Sequence, residues 1–169
     1  IDDSSQSTIQ VSITDSSNQI MFNMENIQVV SQLIQGQFPD YEKLIPNSST
    51  TQTLVDRTSL LQSIKAASIF ARDGSGIIKF VMDKNSKKLS ILSNAEEMGD
   101  LENDIDADVN GDDSKVAFNS KFLQDVVGVL DSPQIKIDTS SPSSPGVFTE
   151  KSKGDSNYRH VIMPMFVQW

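Results

Sequence analysis

Two hydrophobic periods share this chain, and the order in which they alternate restricts what it can fold into. Thr8-Ile9-Gln10-Val11-Ser12-Ile13 alternates polar and apolar residues, the pattern of a half-buried strand. Asp15-Ser16-Ser17-Asn18 supplies turn chemistry, residues 19–22 resume an extended run, and Glu25-Asn26 separates it from 27–30. The spacing predicts a β-meander. Gly36-Gln37-Phe38-Pro39-Asp40-Tyr41 then breaks the pattern, because Pro39 fixes its own φ and biases Phe38 toward an extended backbone. A domain boundary is expected at residues 35–36.

Beyond a polar 47–51 loop, Thr53-Leu54-Val55 reads as a short strand and Asp56 as the N-cap of a helix over 57–71. Leu60, Leu61, Ile64, Ala67 and Ser68 fall on one face of that helix, and Asp73-Gly74-Ser75-Gly76 ends it. Extended segments over 77–82 and 88–92 flank the turn Asp83-Lys84-Asn85-Ser86. An acidic strand over 100–109 is expected to turn at Asn110-Gly111, a hairpin signal, into a strand over 115–118. Asn119 caps a second helix over 120–130, with Phe122, Leu123, Val126, Val129 and Leu130 apolar. Segments over 135–138, 146–149 and 158–166 close the chain as strands. Strand, helix, four strands, helix, three strands is an α+β order, mostly antiparallel, with two helices over one face of a sheet.

Several function classes fall away on composition. The 169 residues include no Cys, so a disulfide framework, a thiolate metal site and a cysteine nucleophile are excluded. The single histidine, His160, excludes a multi-His metal site and sits beside no nucleophile motif. No apolar run approaches the ~20 residues of a membrane span. The lack of Cys fits the cytoplasm. The chain opens on Ile1-Asp2-Asp3-Ser4 without an initiator Met, and is expected to begin inside a longer protein.

Asp106-Ala107-Asp108-Val109-Asn110-Gly111 matches the first half of an EF-hand loop, but the twelfth position, where a bidentate Glu belongs, is Ala117. Ile105, Ala107 and Val109 alternate as in a strand, so an acidic solvent face replaces the calcium reading. The acids from Glu96 to Asp113 lack the apolar surroundings that raise a catalytic carboxyl's pKa. Asp73-Gly74-Ser75-Gly76 follows a helix instead of opening one, which disqualifies it as a phosphate cradle. No cofactor and no metal are expected.

Two apolar groups remain. Ile69 and Phe70 fall off the stripe of the first helix, so they serve either a protein contact or packing under the following loop. Val161-Ile162-Met163-Pro164-Met165-Phe166 is apolar without alternation, and Pro164 confines it to an edge or chain-end position. Flexible thioethers beside a rigid Pro suit an adaptable binding surface, while ordinary core remains the alternative.

Three segments together resemble the bacterial sliding clamp family, the beta subunit of DNA polymerase III. Leu33-Ile34-Gln35-Gly36-Gln37-Phe38-Pro39-Asp40-Tyr41 is similar to that family's linker between its second and third domains. Phe118-Asn119 resembles the start of a third-domain helix, and Tyr158-Arg159-His160-Val161-Ile162-Met163-Pro164-Met165 its C-terminus. The resemblance covers the whole chain, with 1–35 as the end of the central domain and 36–169 as the third domain of the DNA-clamp fold.

The resemblance implies a non-catalytic processivity factor. Two three-domain subunits would form a head-to-tail homodimeric ring around duplex DNA, with no membrane and no cofactor, in the bacterial cytoplasm. DNA polymerase, clamp loader and repair proteins would dock short linear motifs in a groove between the second and third domains. Carried over by position, the third-domain wall of that groove is Pro39, Lys43, Leu44, Asn119, Phe122, Ser143, Pro145, Val161, Ile162, Met163, Pro164 and Met165. Ile69 and Phe70 align with an apolar pair at the subunit interface. Arg57, Lys65 and Lys121 are candidates to face DNA, the alternative being ordinary solvated helix charges. Gln168-Trp169 extends past the family's usual end, with Trp169 over the groove mouth or in solvent. The competing readings are an unrelated acidic β-rich interaction domain and, least supported by any constellation, an enzyme.

Overall fold

The computed structural model describes residues 8–14, 18–38, 40–72, 75–95, 99–151 and 158–169, and its contacts divide the chain into two units, 1–40 and 41–169. In the first, β1 (Gln10–Thr14), β2 (Gln19–Met24) and β3 (Ile27–Gln32) pair antiparallel in chain order, as the meander pattern predicts. Met24 pairs with Ile27 across a two-residue turn in which Glu25 takes φ +33°. Positive φ there lets a tight turn follow the strand twist.

The second unit contains the core. After a single 3-10 turn at Tyr41–Leu44, its elements are β4 (Thr51–Asp56), α1 (Arg57–Arg72), β5 (Ile77–Asp83), β6 (Lys88–Ala95), β7 (Gly99–Gly111), β8 (Ser114–Asn119), α2 (Ser120–Val129), β9 (Gln134–Thr139), β10 (Gly146–Glu150) and β11 (His160–Ile162). The eight strands form one antiparallel sheet in the order β11-β10-β9-β4-β7-β6-β5-β8. Alternation decides which face each residue takes. Ile78, Phe80 and Met82 of β5 and Leu89 and Ile91 of β6 are buried, packed with Leu60, Ile64 and Ala67 of α1 and Leu123, Val126 and Val127 of α2. The opposite face of β7 carries Asp100, Glu102, Asp104, Asp106 and Asp108, all exposed.

Asp56 caps α1: its Oδ1 accepts from the Ser59 N–H and the Ser59 hydroxyl, each at 2.8 Å. Asn119 caps α2 with β-region dihedrals, and its Oδ1 accepts from the N–H of Lys121 at 2.9 Å and of Phe122 at 3.4 Å. Both caps stand where the sequence places them. Residues 73–74 of the loop that ends α1 lie outside the described residues.

Two sequence expectations need correction. Asn110-Gly111 does not make a hairpin, because β7 pairs with β6 and β4 while β8 lies at the end of the sheet against β5. Gly111 is required for another reason. It sits at φ +103°, paired with Thr51, where a Cβ would collide with the Thr50 carbonyl oxygen that also accepts from the Asp112 N–H at 3.1 Å. The final strand is only three residues long, not the nine of 158–166. Pro164 has no N–H for a ladder, so pairing with β10 stops at Ile162.

The sheet curls until its ends meet. Phe118 of β8 packs edge-on against Phe148 of β10, with centroids 5.7 Å apart, and against Phe80, 5.8 Å away. The Ser114 and Thr139 hydroxyls join β8 to the end of β9 at 3.0 Å. Gly146 makes room for this approach, since a Cβ there would lie 2.5 Å from Cζ of Phe118.

Gly146→Ala is therefore expected to overpack the seam and destabilise the domain by about 1–3 kcal/mol, measured by urea unfolding. Asp56→Ala should cost about 1 kcal/mol at neutral pH. The Ser59 N–H is the main reason the Asp56 carboxyl is held below its ordinary 3.8. A lowered folded pKa means that the cap's contribution is present above 3.8 and fades as the pH falls through the folded value. The gap between wild-type and variant melts should thus narrow between pH 7 and the most acidic pH at which the fold persists.

Candidate functional site

Beyond β11 the chain leaves one end of the sheet and joins the other. The Met165 N–H donates to the Ala117 carbonyl of β8 at 2.8 Å. Because Gly146 pairs with Ile162, Pro145 enters β10 beside the point where Met163 leaves β11. Asn119 lies two residues beyond Ala117 and opens α2, the helix that packs against β11. The curl of the sheet thus gathers Asn119, Phe122, Pro145, Met163, Pro164 and Met165 on one side of the domain.

Their exposure shows what this surface offers. Phe122 on the first turn of α2 is 54% exposed and Met163 56% exposed, with Met165 and Leu44 also open to solvent. Val161 is half-buried, on the face opposite the core, while Ile162 is 3% exposed and belongs to the core. Ile162 can contribute only backbone to the surface. Asn119 commits its Oδ1 to the helix cap, which leaves Nδ2 without a partner among the described residues. Ser143 is exposed in the loop that follows β9, and Lys43 and Leu44 lie in the 3-10 turn before β4. Pro39 lies outside the described residues.

His160 sits at the start of β11, with Nδ1 2.9 Å from the Tyr158 hydroxyl. Burial pushes its pKa below the usual histidine value, against the opposing charge of Asp125. Among the described residues no three His, Cys, Asp or Glu side chains gather as a metal site would require. No described helix is long and apolar enough to cross a membrane.

On α1, Ile69 is 54% exposed at the C-terminal end and Phe70 half-buried. Lys65 and Lys121 are exposed on α1 and α2. Arg57 is differently employed. Its Nε donates to the Val127 carbonyl at 3.0 Å and a terminal nitrogen to the Gly128 carbonyl at 3.1 Å, so the guanidinium closes the C-terminal end of α2. Composition offered no signal for this, because the two helix ends meet only in the folded sheet. Trp169 is 48% exposed at the end of the chain. Its ring lies 5.5 Å from Lys79 Nζ and 5.9 Å from Lys115 Nζ, and Lys79 donates to the Gln168 carbonyl at 2.8 Å.

Residues 42–166 match the family described as DNA polymerase III beta subunit, C-terminal domain. The chain belongs to that family. The beta sliding clamp of Staphylococcus aureus is 30% identical over 151 residues, which cover 88% of this chain and 39% of that protein. The Bacillus subtilis beta sliding clamp is 29% identical over 164 residues, 96% of this chain and 42% of the relative. This chain therefore spans about two-fifths of the length of these curated relatives. A Pseudomonas aeruginosa sliding clamp solved with a ligand superposes with a TM-score of 0.74 at 23% identity, over 98% of this chain and 43% of that one. At that identity the likeness is one of fold: two helices on an antiparallel sheet.

In this clamp-family domain the engagement of Arg57 separates it from Lys65. Arg57→Gln should lower the unfolding midpoint, because the lost charge-assisted bonds at a partly exposed site cost about 1 kcal/mol of stability, whereas Lys65→Gln should leave it unchanged. Thermal melts of the two variants decide the matter. Equal midpoints would show that the guanidinium does not hold α2.

Proposed function

We propose that this chain serves in a bacterial sliding clamp, with 36–169 as the third domain and 1–35 as the end of the central one. What carries the reading is the apolar wall of Phe122, Met163 and Met165, left open on a domain whose core is otherwise closed. An open apolar wall beside the donor of Asn119 suits a short peptide that buries a Leu or Phe anchor and orients its backbone by hydrogen bonds. Lys43, Leu44, Ser143, Pro145 and Val161 would complete the wall. DNA polymerase, clamp loader and repair proteins would share it in turn, and flexible thioethers accommodate varied anchors.

In the assembled protein, Ile69 and Phe70 would meet the first domain of the next subunit and close a homodimeric ring. The helices would face duplex DNA, with Lys65 and Lys121 toward the phosphates. A net charge of −9 is compatible with this, since only the lining needs positive charge and weak, sequence-blind contacts permit sliding. The clamp would act without chemistry of its own, in the cytoplasm. It would hold the polymerase at high effective concentration on DNA, so that rebinding outpaces escape.

The test is an anisotropy titration with a fluorescein-labelled Gln- and Leu-containing clamp-binding peptide. Saturable binding is expected, weakened by about 1–2 kcal/mol, or roughly five- to thirtyfold, in Met163→Ala and in Phe122→Ala. Unchanged affinity in both variants would remove these residues from the groove. A flat titration, repeated with a complete second domain preceding this one, would overturn the groove itself.

A further inference from the structure

The 45–49 turn, which follows Leu44, covers part of the outer face of β9, β10 and β11 and encloses a pocket of about 190 Å³. Its floor is set by strand register. Thr149 pairs with Lys136, and Val147 pairs with Val161, so Thr149, Lys136 and Arg159 line the pocket next to the Val161 and Leu44 side of the peptide wall.

Three features of this pocket point to a negatively charged occupant. The Thr149 Oγ1 is buried and has no hydrogen-bond partner among the described residues, an arrangement that is costly unless something accepts or donates there. Arg159 forms no ion pair among the described residues. The one carboxylate in the pocket is already satisfied: Asp138 receives Lys136 Nζ at 3.0 Å and Gln52 Nε2 at 3.1 Å. With Lys136 and Asp138 offsetting each other, the guanidinium of Arg159 is the uncompensated charge. Its planar fork suits a carboxylate, and a hydroxyl beside it supplies a further donor. The volume is ample for one short acidic side chain.

We propose that this pocket is a carboxylate subsite, which takes an Asp or Glu side chain flanking the apolar anchor of a peptide bound in the neighbouring groove. The inference rests on the groove reading given above and adds a specificity rule to it. Arg159 pairs with the carboxylate, Thr149 donates its hydroxyl to it, and Ile45 and Val147 form the apolar sides of the pocket. Partners with an acidic residue at that position would be preferred over those with a neutral one.

The test uses pairs of Gln- and Leu-containing peptides, with aspartate or asparagine placed in turn at the two positions on each side of the Leu anchor. Each is titrated calorimetrically against the chain preceded by a complete second domain. At one position the aspartate peptide should bind about tenfold more tightly than its asparagine partner, and the advantage should shrink with added salt. Arg159→Gln should erase that advantage, and Thr149→Val should reduce it. Both variants should bind the asparagine peptide as the wild type does, which shows that the fold and groove are intact. Equal binding of aspartate and asparagine peptides at every position overturns the subsite and leaves the groove standing. Failure of all the peptides to bind overturns the groove, and the subsite with it. An advantage that survives Arg159→Gln assigns the carboxylate to another cation and also overturns the proposal.

Discussion

The edge-on contact between Phe118 and Phe148 joins the last strand of an eight-stranded sheet to the strand next to its opposite end, and the geometry of the surface follows from it. Strand twist alone curls a sheet of this width but does not say where its ends come to rest. The aromatic seam decides that, with Phe80 on one flank of Phe118 and the bare backbone of Gly146 beneath its ring. An edge-to-face pair at 5.7 Å is worth about 0.5–1.5 kcal/mol beyond its burial. The larger effect is positional, because the end of β8 also carries the cap of α2.

Once the ends meet, residues far apart in sequence become neighbours. Asn119 and Phe122 come from one end of the sheet, and Met163 to Met165 from the other, joined by the bond from Met165 to Ala117. The last residues run on across β5 and β8, where Trp169 rests between Lys79 and Lys115. Each side chain of the wall is exposed for a local reason. Phe122 stands one position off the buried Leu123, and Met163 follows a core residue at the point where Pro164 stops the ladder. Phe122, Met163 and Met165 are thus exposed where the sheet runs out of hydrogen bonds.

Much of the fold was legible from periodicity. The order of strands and helices and both helix caps are local properties: alternation, helical spacing, and an Asp or Asn before the first turn. The core faces of α1 and α2 were legible too, with Leu60, Ile64 and Ala67 buried as the stripe predicts. Asn110-Gly111 misled because dipeptide preference reports a turn and not the identity of the strand that follows it in the ladder. Here the positive φ serves a close approach to Thr50, and the chain after it travels to the far end of the sheet. The length of β11 was overestimated because apolar composition was read past the proline that ends pairing.

By itself the sequence determined the class of the domain, its two helix starts, the exclusion of thiol chemistry, and the family whose linker and C-terminal motif it carries. Those features depend on neighbours within a few residues, or on motifs written out in order. Only the tertiary structure decided that Arg57 closes α2 instead of standing free, that Ile162 faces the core while Met163 faces solvent, and that Trp169 lies against two lysines. Each of these depends on how far the sheet curls before its ends touch. That distance is set by one phenylalanine and one glycine 28 residues apart, whose interaction no local pattern encodes.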